Sequence, residues 1–269
     1  SINWGRLAPQ LVYYFSAYVD QVRQGRIELG DELNFVVPTG NFGNILAAVY
    51  ARSMGLPIGR LICASNRNRV LADFLKDGVY DARRAFYQTT SPSMDILISS
   101  NLERMLFEIS GREVAQVNEW MESLRTKGRY EVRGQALDAL KALIWGGWAG
   151  DQAVSETIGQ TWKRWGYLTD PHTAVALNVH RQYVEATGDG RQAVIMSTAS
   201  PFKFGKTVLE AIEGGVQAQD DFECCRFLSQ KTGWALPKAI AELPGKPVRH
   251  RAECEPADMM DAVKRAMEE

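Results

Sequence analysis

The residues best placed to do chemistry lie in one turn. Asn34-Phe35-Val36-Val37-Pro38 is a short apolar run that passes through Thr39-Gly40-Asn41-Phe42-Gly43-Asn44 into an alanine-rich segment. Two glycines let a backbone turn sharply, and the first N–H groups of the helix that follows have no acceptor inside it. Such a turn can hold an anion, above all a phosphate. Glycine placed for turn geometry alone is the alternative reading. A cation in the first thirty residues bears on the choice. Arg6 falls in the first turn of a helix predicted from Trp4 to Gln24, with Ser1 or Asn3 at the capping position. The positive end of a helix dipole disfavours a cation there unless an anion is bound. A solvated surface arginine is the plainer reading.

Other chemistries find little support. His172, His180 and His250 are scattered and have no G-x-S-x-G elbow to serve, so a serine triad is not expected, and His172 reads as a structural histidine near a helix start. There is no H-E-x-x-H, C-x-x-C or EF-hand spacing, and no metal is predicted. The turn lacks the third glycine of G-x-G-x-x-G and the Lys-Ser/Thr pair of a P-loop, which leaves a single phosphate on a small cofactor. Pyridoxal 5'-phosphate is the obvious one.

The 269 residues, 45% hydrophobic and 23% charged, suffice for a substantial core. The 31 basic and 32 acidic side chains nearly cancel and form no basic stripe, which argues for a small-molecule substrate over nucleic acid or an anionic membrane surface. Cys63, Cys224, Cys225 and Cys254 have neither zinc-type nor disulfide-framework spacing, so free thiols and a cytoplasmic setting are expected. No apolar run approaches the ~20 residues that span a bilayer. The chain opens on Ser1, directly before an amphipathic pattern, as a piece of a longer polypeptide would.

The elements that must position these residues follow from periodicity. Leu33–Val37, Leu61–Ala64 and Ala193–Ser197 read as strands buried on both faces of a parallel sheet, and Asn44–Met54 as a crossover helix. Ligands collect at the carboxyl ends of such strands, where the Asn41 turn, Ser65-Asn66 and Thr198 all fall. Helices are predicted at Val70–Leu75, Met94–Ser110 and Arg112–Arg125, over most of Gly134–Gly166, from Pro171 (capped by Asp170) to Ala186, and from Pro201 towards Glu213. Two more are predicted at Asp221–Lys231 and Asp258–Met267. Arg83–Ser93 reads as a hydroxyl-bearing loop, and Trp145, Trp148, Trp162 and Trp165 as interhelix packing. The whole is α/β: a parallel sheet flanked by helices, with a helical insertion over about 94–168 and a carboxyl-terminal extension over about 216–269.

Six blocks then carry a resemblance. They are Ser1-Ile2-Asn3-Trp4-Gly5-Arg6, Val37 to Asn44, Leu61 to Asn66, Ser91 to Arg104, Asp170-Pro171-His172-Thr173-Ala174-Val175, and Ser197-Thr198-Ala199-Ser200-Pro201-Phe202-Lys203-Phe204. In this order they resemble threonine synthase of the bacterial and fungal type, over roughly the first four-fifths of the chain. The resemblance implies a fold-type II pyridoxal-phosphate enzyme of tryptophan synthase β-like architecture. It would convert O-phospho-L-homoserine and water to L-threonine and phosphate, as a monomer or homodimer, with the cofactor as electron sink.

By that resemblance Thr39, Gly40, Asn41, Phe42, Gly43 and Asn44 hold the cofactor phosphate. Thr198, with Ser197 the lesser candidate, meets the pyridine nitrogen, and Ser1, Asn3, Arg6 and the Asn41 side chain hold the substrate phosphate. The family's Schiff-base lysine belongs to an amino-terminal segment that these residues do not include. Lys76, Lys203 and Lys206 do not match it, and the catalytic residue is therefore expected outside this sequence, which by itself would be inactive. Two further readings stay open: a threonine-synthase-like paralogue acting as a phospho-lyase, and a non-catalytic binding module.

Overall fold

The computed structural model describes residues 3–215, 220–249 and 251–268. Its strands are β1 (Leu33–Pro38), β2 (Ile58–Ser65), β3 (Val79–Asp81), β4 (Arg129–Glu131), β5 (Ile144–Trp148) and β6 (Ala193–Ile195). The helices that matter below are α1 (Trp4–Leu7), α2 (Leu11–Arg23), α3 (Gly43–Ser53), α4 (Val70–Asp77), α5 (Leu102–Ile109), α6 (Val114–Lys127), α7 (Gly134–Leu143), α8 (Asp151–Trp165), α9 (Pro171–Thr187), α10 (Gly205–Glu213) and α11 (Asp221–Thr232).

A four-stranded, all-parallel sheet runs in the order β5-β2-β1-β6. All six residues of β1 are buried, as a near-continuous apolar run in the middle of such a sheet requires. Side chains alternate between its faces. Phe35 and Val37 join Tyr14 of α2 and Ile45 and Leu46 of α3 in one core, while Val36 joins Val175 and Val179 of α9 in the other. The chain leaves β1 through α3 to β2 on one side, and β6 pairs on the other. The carboxyl end of β1 is thus the point where connections diverge and a crevice opens.

Three local readings of the sequence give way to tertiary structure. Pro9 lacks an N–H and crowds the preceding turn. The opening helix is accordingly split into α1, a 3-10 turn over Ala8–Gln10, and α2. The stretch predicted helical from Met94 to Ser110 is helical only over α5, because residues 95–101 bond to distant partners instead of to each other. Within Gly134–Gly166 the segment Ile144–Trp148 is an edge strand of the main sheet, so the region 94–168 contributes to the sheet as well as to the helices. An unforeseen antiparallel ribbon, β3 with β4, stacks Tyr80 on Tyr130 at 5.1 Å beside Phe74.

Two of the four tryptophans also differ from expectation, while Trp145 and Trp162 pack against the core as expected. Trp145 meets Tyr183 edge-on, but Trp148 and Trp165 are exposed and lie under Arg69 and Arg164.

Gly146 shows why β5 escaped the sequence pattern. A Cβ on it would lie 3.0 Å from Leu75 Cβ and 3.2 Å from Ala72 Cα, so α4 packs directly on the strand backbone. Gly146→Val should destabilise the fold by about 1–3 kcal/mol, the usual range for overpacking. The check is a lower urea midpoint with unchanged m-value; an unchanged midpoint would show that α4 yields freely. All four cysteines are free thiols, and burial pushes the Cys63 thiol up to about 12, so it is no nucleophile. No helix among the described residues is long and apolar enough to cross a membrane.

Candidate functional site

Helix α3 starts at Gly43, and its N-cap residue is Phe42, which holds a left-handed backbone (φ 64°, ψ 0°) without any side-chain cap. A non-glycine residue in that conformation costs on the order of 1–3 kcal/mol. The fully buried Phe42 ring, packed in the same core as Tyr14 and Ile45, holds it there. The consequence is a run of outward-facing donors. Among the described residues, none of the backbone N–H groups from Gly40 to Ile45 finds a protein acceptor.

The carbonyls of the same turn are tied inward. Ser99 Oγ donates to Gly40 O at 2.9 Å, and Asn101 donates to Asn41 O from its backbone N–H at 3.1 Å and from Nδ2 at 2.9 Å. Tyr14 OH donates to Asn44 O at 2.9 Å and also contacts Asn44 Oδ1. Burial holds the Tyr14 hydroxyl far above its usual range, so it stays a donor. With the carbonyls of Gly40, Asn41 and Asn44 consumed from behind, the backbone N–H groups of the turn are left without protein acceptors among the described residues. The turn lines a cleft of about 220 Å³ together with Arg6, Gln10, Ser93 and Asn101.

Among the described residues no carboxylate lines the cleft. Arg6 reaches it from α1, and among the described residues this guanidinium has no acidic partner. Donors from a helix start, a positive dipole end and a free arginine together suit a phosphate dianion. Gly40 permits the close wall: a Cβ there would lie 3.1 Å from Ser93 O and 3.2 Å from Met94 Cα.

The other predicted residues divide. Asn41 is exposed and lines the cleft, its Oδ1 3.5 Å from Ser100 Oγ. Thr39 lines the cleft but has spent its donors: its N–H goes to Ala64 O at 2.8 Å and its hydroxyl to Val37 O at 2.7 Å. Asn3 caps α1 by accepting from Gly5 N at 2.8 Å and does not line the cleft. Ser1 lies outside the described residues. Thr198 is exposed just past the end of β6, one strand over from the turn and outside the cleft lining. Lys76, Lys203 and Lys206 do not line it either.

Three features escaped the sequence reading. Asn101 lines the cleft and Ser99 ties down Gly40 O behind it; of the hydroxyl-bearing loop only Ser93 reaches the lining, whereas Thr89 and Ser91 are turned into a network around Asp95 and Asn66. Tyr80, from the unforeseen ribbon, accepts from Ser99 N at 2.9 Å and donates to Leu97 O at 3.0 Å, and so sets the wall's height. Gln10 Nε2 donates to Arg6 O at 2.7 Å across the broken opening helix. The one local signal was the polar run Ser99-Ser100-Asn101 inside an otherwise helical pattern.

Comparison with known proteins bears on the fold and the family. The family model described as threonine synthase, C-terminal, matches residues 173–267, and so covers the stretch after Gly215 to which the six blocks do not extend. Threonine synthase-like 1 from Homo sapiens is 44% identical over 214 residues, 79% of this chain and 28% of that protein. The crystal structure of threonine synthase from yeast superimposes with a TM-score of 0.81 at 32% identity, covering 100% of this chain and 52% of that one. A PLP-bound threonine synthase from Brucella melitensis gives a TM-score of 0.76 at 37% identity, over 92% of this chain and 47% of that one. The fold is that of the fold-type II pyridoxal-phosphate enzymes. The chain spans about half the length of these two synthases, and less of the human relative.

Proposed function

Since this chain belongs to the threonine synthase family, we propose that it forms the phosphate-binding side of a pyridoxal-phosphate site that turns O-phospho-L-homoserine and water into L-threonine and phosphate. The observation that carries this reading is the run of N–H groups from Gly40 to Asn44 that, among the described residues, have no protein acceptor and belong to residues lining a cleft with Arg6 and no carboxylate. Those N–H groups would hold the cofactor phosphate, with Gly40 and Gly43 allowing the close approach. Thr39 shapes the seat without donating. The cofactor, when bound, supplies an electron sink for charge developing on the substrate.

Arg6 and the Asn41 side chain, both lining the cleft, would hold the substrate's phosphate and stabilise it as it leaves. Thr198, past the end of β6, would offer a neutral hydroxyl to the pyridine nitrogen, and a neutral partner favours the unprotonated ring. Asn3 would contribute by fixing α1, and with it the direction of Arg6. The test is phosphate release and threonine formation from O-phospho-L-homoserine by the full protein with pyridoxal 5'-phosphate. Arg6→Ala should raise KM for that substrate about ten-fold, the low end for a charge-assisted contact because the side chain is exposed. An unchanged KM would remove Arg6 from the site.

One observation favours a second reading. Identity is higher to threonine synthase-like 1 (44%) than to the two threonine synthases of known structure (37% and 32%). A phospho-lyase related to threonine synthase would release a keto acid, ammonia and phosphate. Product analysis distinguishes the two directly.

A further inference from the structure

Asp170 does more than cap a helix. Its carboxylate accepts from His172 N at 2.9 Å and Thr173 N at 3.4 Å, as an N-cap should, with Pro171 at the first helical position. The same carboxylate also meets His172 Nδ1 at 2.9 Å and takes the Thr173 hydroxyl. Capping requires neither of these side chains. Both Asp170 and His172 are buried, and the imidazole rests on Phe204 at 4.9 Å.

A carboxylate at Nδ1 places the ring's single proton on that nitrogen and leaves Nε2 as an acceptor. Nε2 accepts the backbone N–H of Ser93 at 3.3 Å. Ser93 is the residue whose carbonyl backs Gly40 across the cleft wall. Thr173, on the other branch from Asp170, lies 3.3 Å from Ser197 Oγ, beside Thr198. One buried carboxylate thus reaches both the wall of the turn and the end of β6.

We propose that the Asp170–His172 pair is a positioning device for the anion seat: it fixes one neutral imidazole tautomer, whose Nε2 holds Ser93 and, through Ser93, the Gly40 turn. The proposal rests on reading the turn as a phosphate seat. A buried histidine that merely fills space would be indifferent to its tautomer and to the seat; this one is not. His172 touches neither cofactor nor substrate in this account and acts only through Ser93.

The experiment uses histidine-labelled chain and inorganic phosphate as the probe. Nitrogen-15 NMR should show His172 protonated at Nδ1 and unprotonated at Nε2, and phosphate should shift the amide signals of residues 40–45. His172→Phe should weaken phosphate binding about ten-fold, the effect of one lost hydrogen bond. His172→Gln, whose side-chain oxygen can replace Nε2 as acceptor, should restore binding to within about three-fold of the original. Ser93→Pro removes the donor from the other side and should match His172→Phe, which decides the matter if the phenylalanine variant does not fold. A proton on Nε2, equal binding by the Phe and Gln variants, or undiminished binding by Ser93→Pro would each overturn the proposal. If the unaltered chain binds no phosphate, the seat reading fails. The tautomer and the displacement of the Gly40 amide signal in Ser93→Pro then still judge the positioning.

Discussion

Gly40→Val is expected to lower the affinity for pyridoxal 5'-phosphate by about 100-fold. The cause is steric alone, since Gly40 does not have the positive φ that would strain any side chain. Its Cβ would press on two backbone atoms, Ser93 O at 3.1 Å and Met94 Cα at 3.2 Å. Neither can swing away as a side-chain tip could. Met94 is buried and Ser93 is held by His172, so the wall is the firmer side and the turn moves. Valine adds two methyl groups beyond Cβ, and an outward shift of the turn spreads the amides that must converge on one phosphate. Fluorescence titration of the cofactor against the original, Gly40→Ala and Gly40→Val chains should give a graded loss. Equal affinity for all three would mean that the phosphate does not sit on this turn.

Asp95→Ala is expected to cost about 3–4 kcal/mol of stability. Asp95 Oδ1 accepts from Asn66 Nδ2 at 2.7 Å, Asn68 Nδ2 at 2.9 Å and Thr89 Oγ1 at 2.7 Å, and Oδ2 accepts from Thr89 N at 2.9 Å. Asn66 and Asn68 are themselves buried just past the end of β2, so losing the carboxylate strands donors away from water. The total falls short of four separate bonds because Asn66 retains Thr89 and Ser91, and Asn68 retains Tyr87 O. Asp95→Asn keeps one acceptor and should recover about half of the loss. Urea unfolding measures both. A drop below ~1 kcal/mol for the alanine variant would show that the loop from Tyr87 to Asn101 is held elsewhere.

The Asp95 network also explains a limit of reading the sequence. Residues 94–110 have the composition of one helix, yet only Leu102–Ile109 is helical. What competes with the helix is a set of partners far away in the chain: Asn66 and Asn68 for Asp95, Gly40 O for Ser99, Asn41 O for Asn101. β5 was hidden for a related reason. Ile144-Trp145-Gly146-Gly147-Trp148 has no alternation and two glycines, and it becomes a strand because β2 offers an open edge and α4 needs a side-chain-free surface.

What local interactions govern was legible from the residues alone. β1 is a strand because six consecutive residues suit burial on both faces; the turn after it offers N–H groups because every helix start does; Asp170 and Pro171 begin α9 because a cap and a fixed φ act within three residues. The motifs drawn from those segments were enough to indicate the family. Tertiary structure alone decided which donors of the turn remain free. Thr39 lost its donors to Val37 and Ala64, while Gly40 to Asn44 kept theirs because Ser99, Asn101 and Tyr14 took the carbonyls from behind. Those contacts span 59, 60 and 30 residues, and the one from Ser93 to His172 spans 79. Over such separations no periodicity survives, because the chain between the partners sets its own local pattern and only the packed sheet brings their ends together.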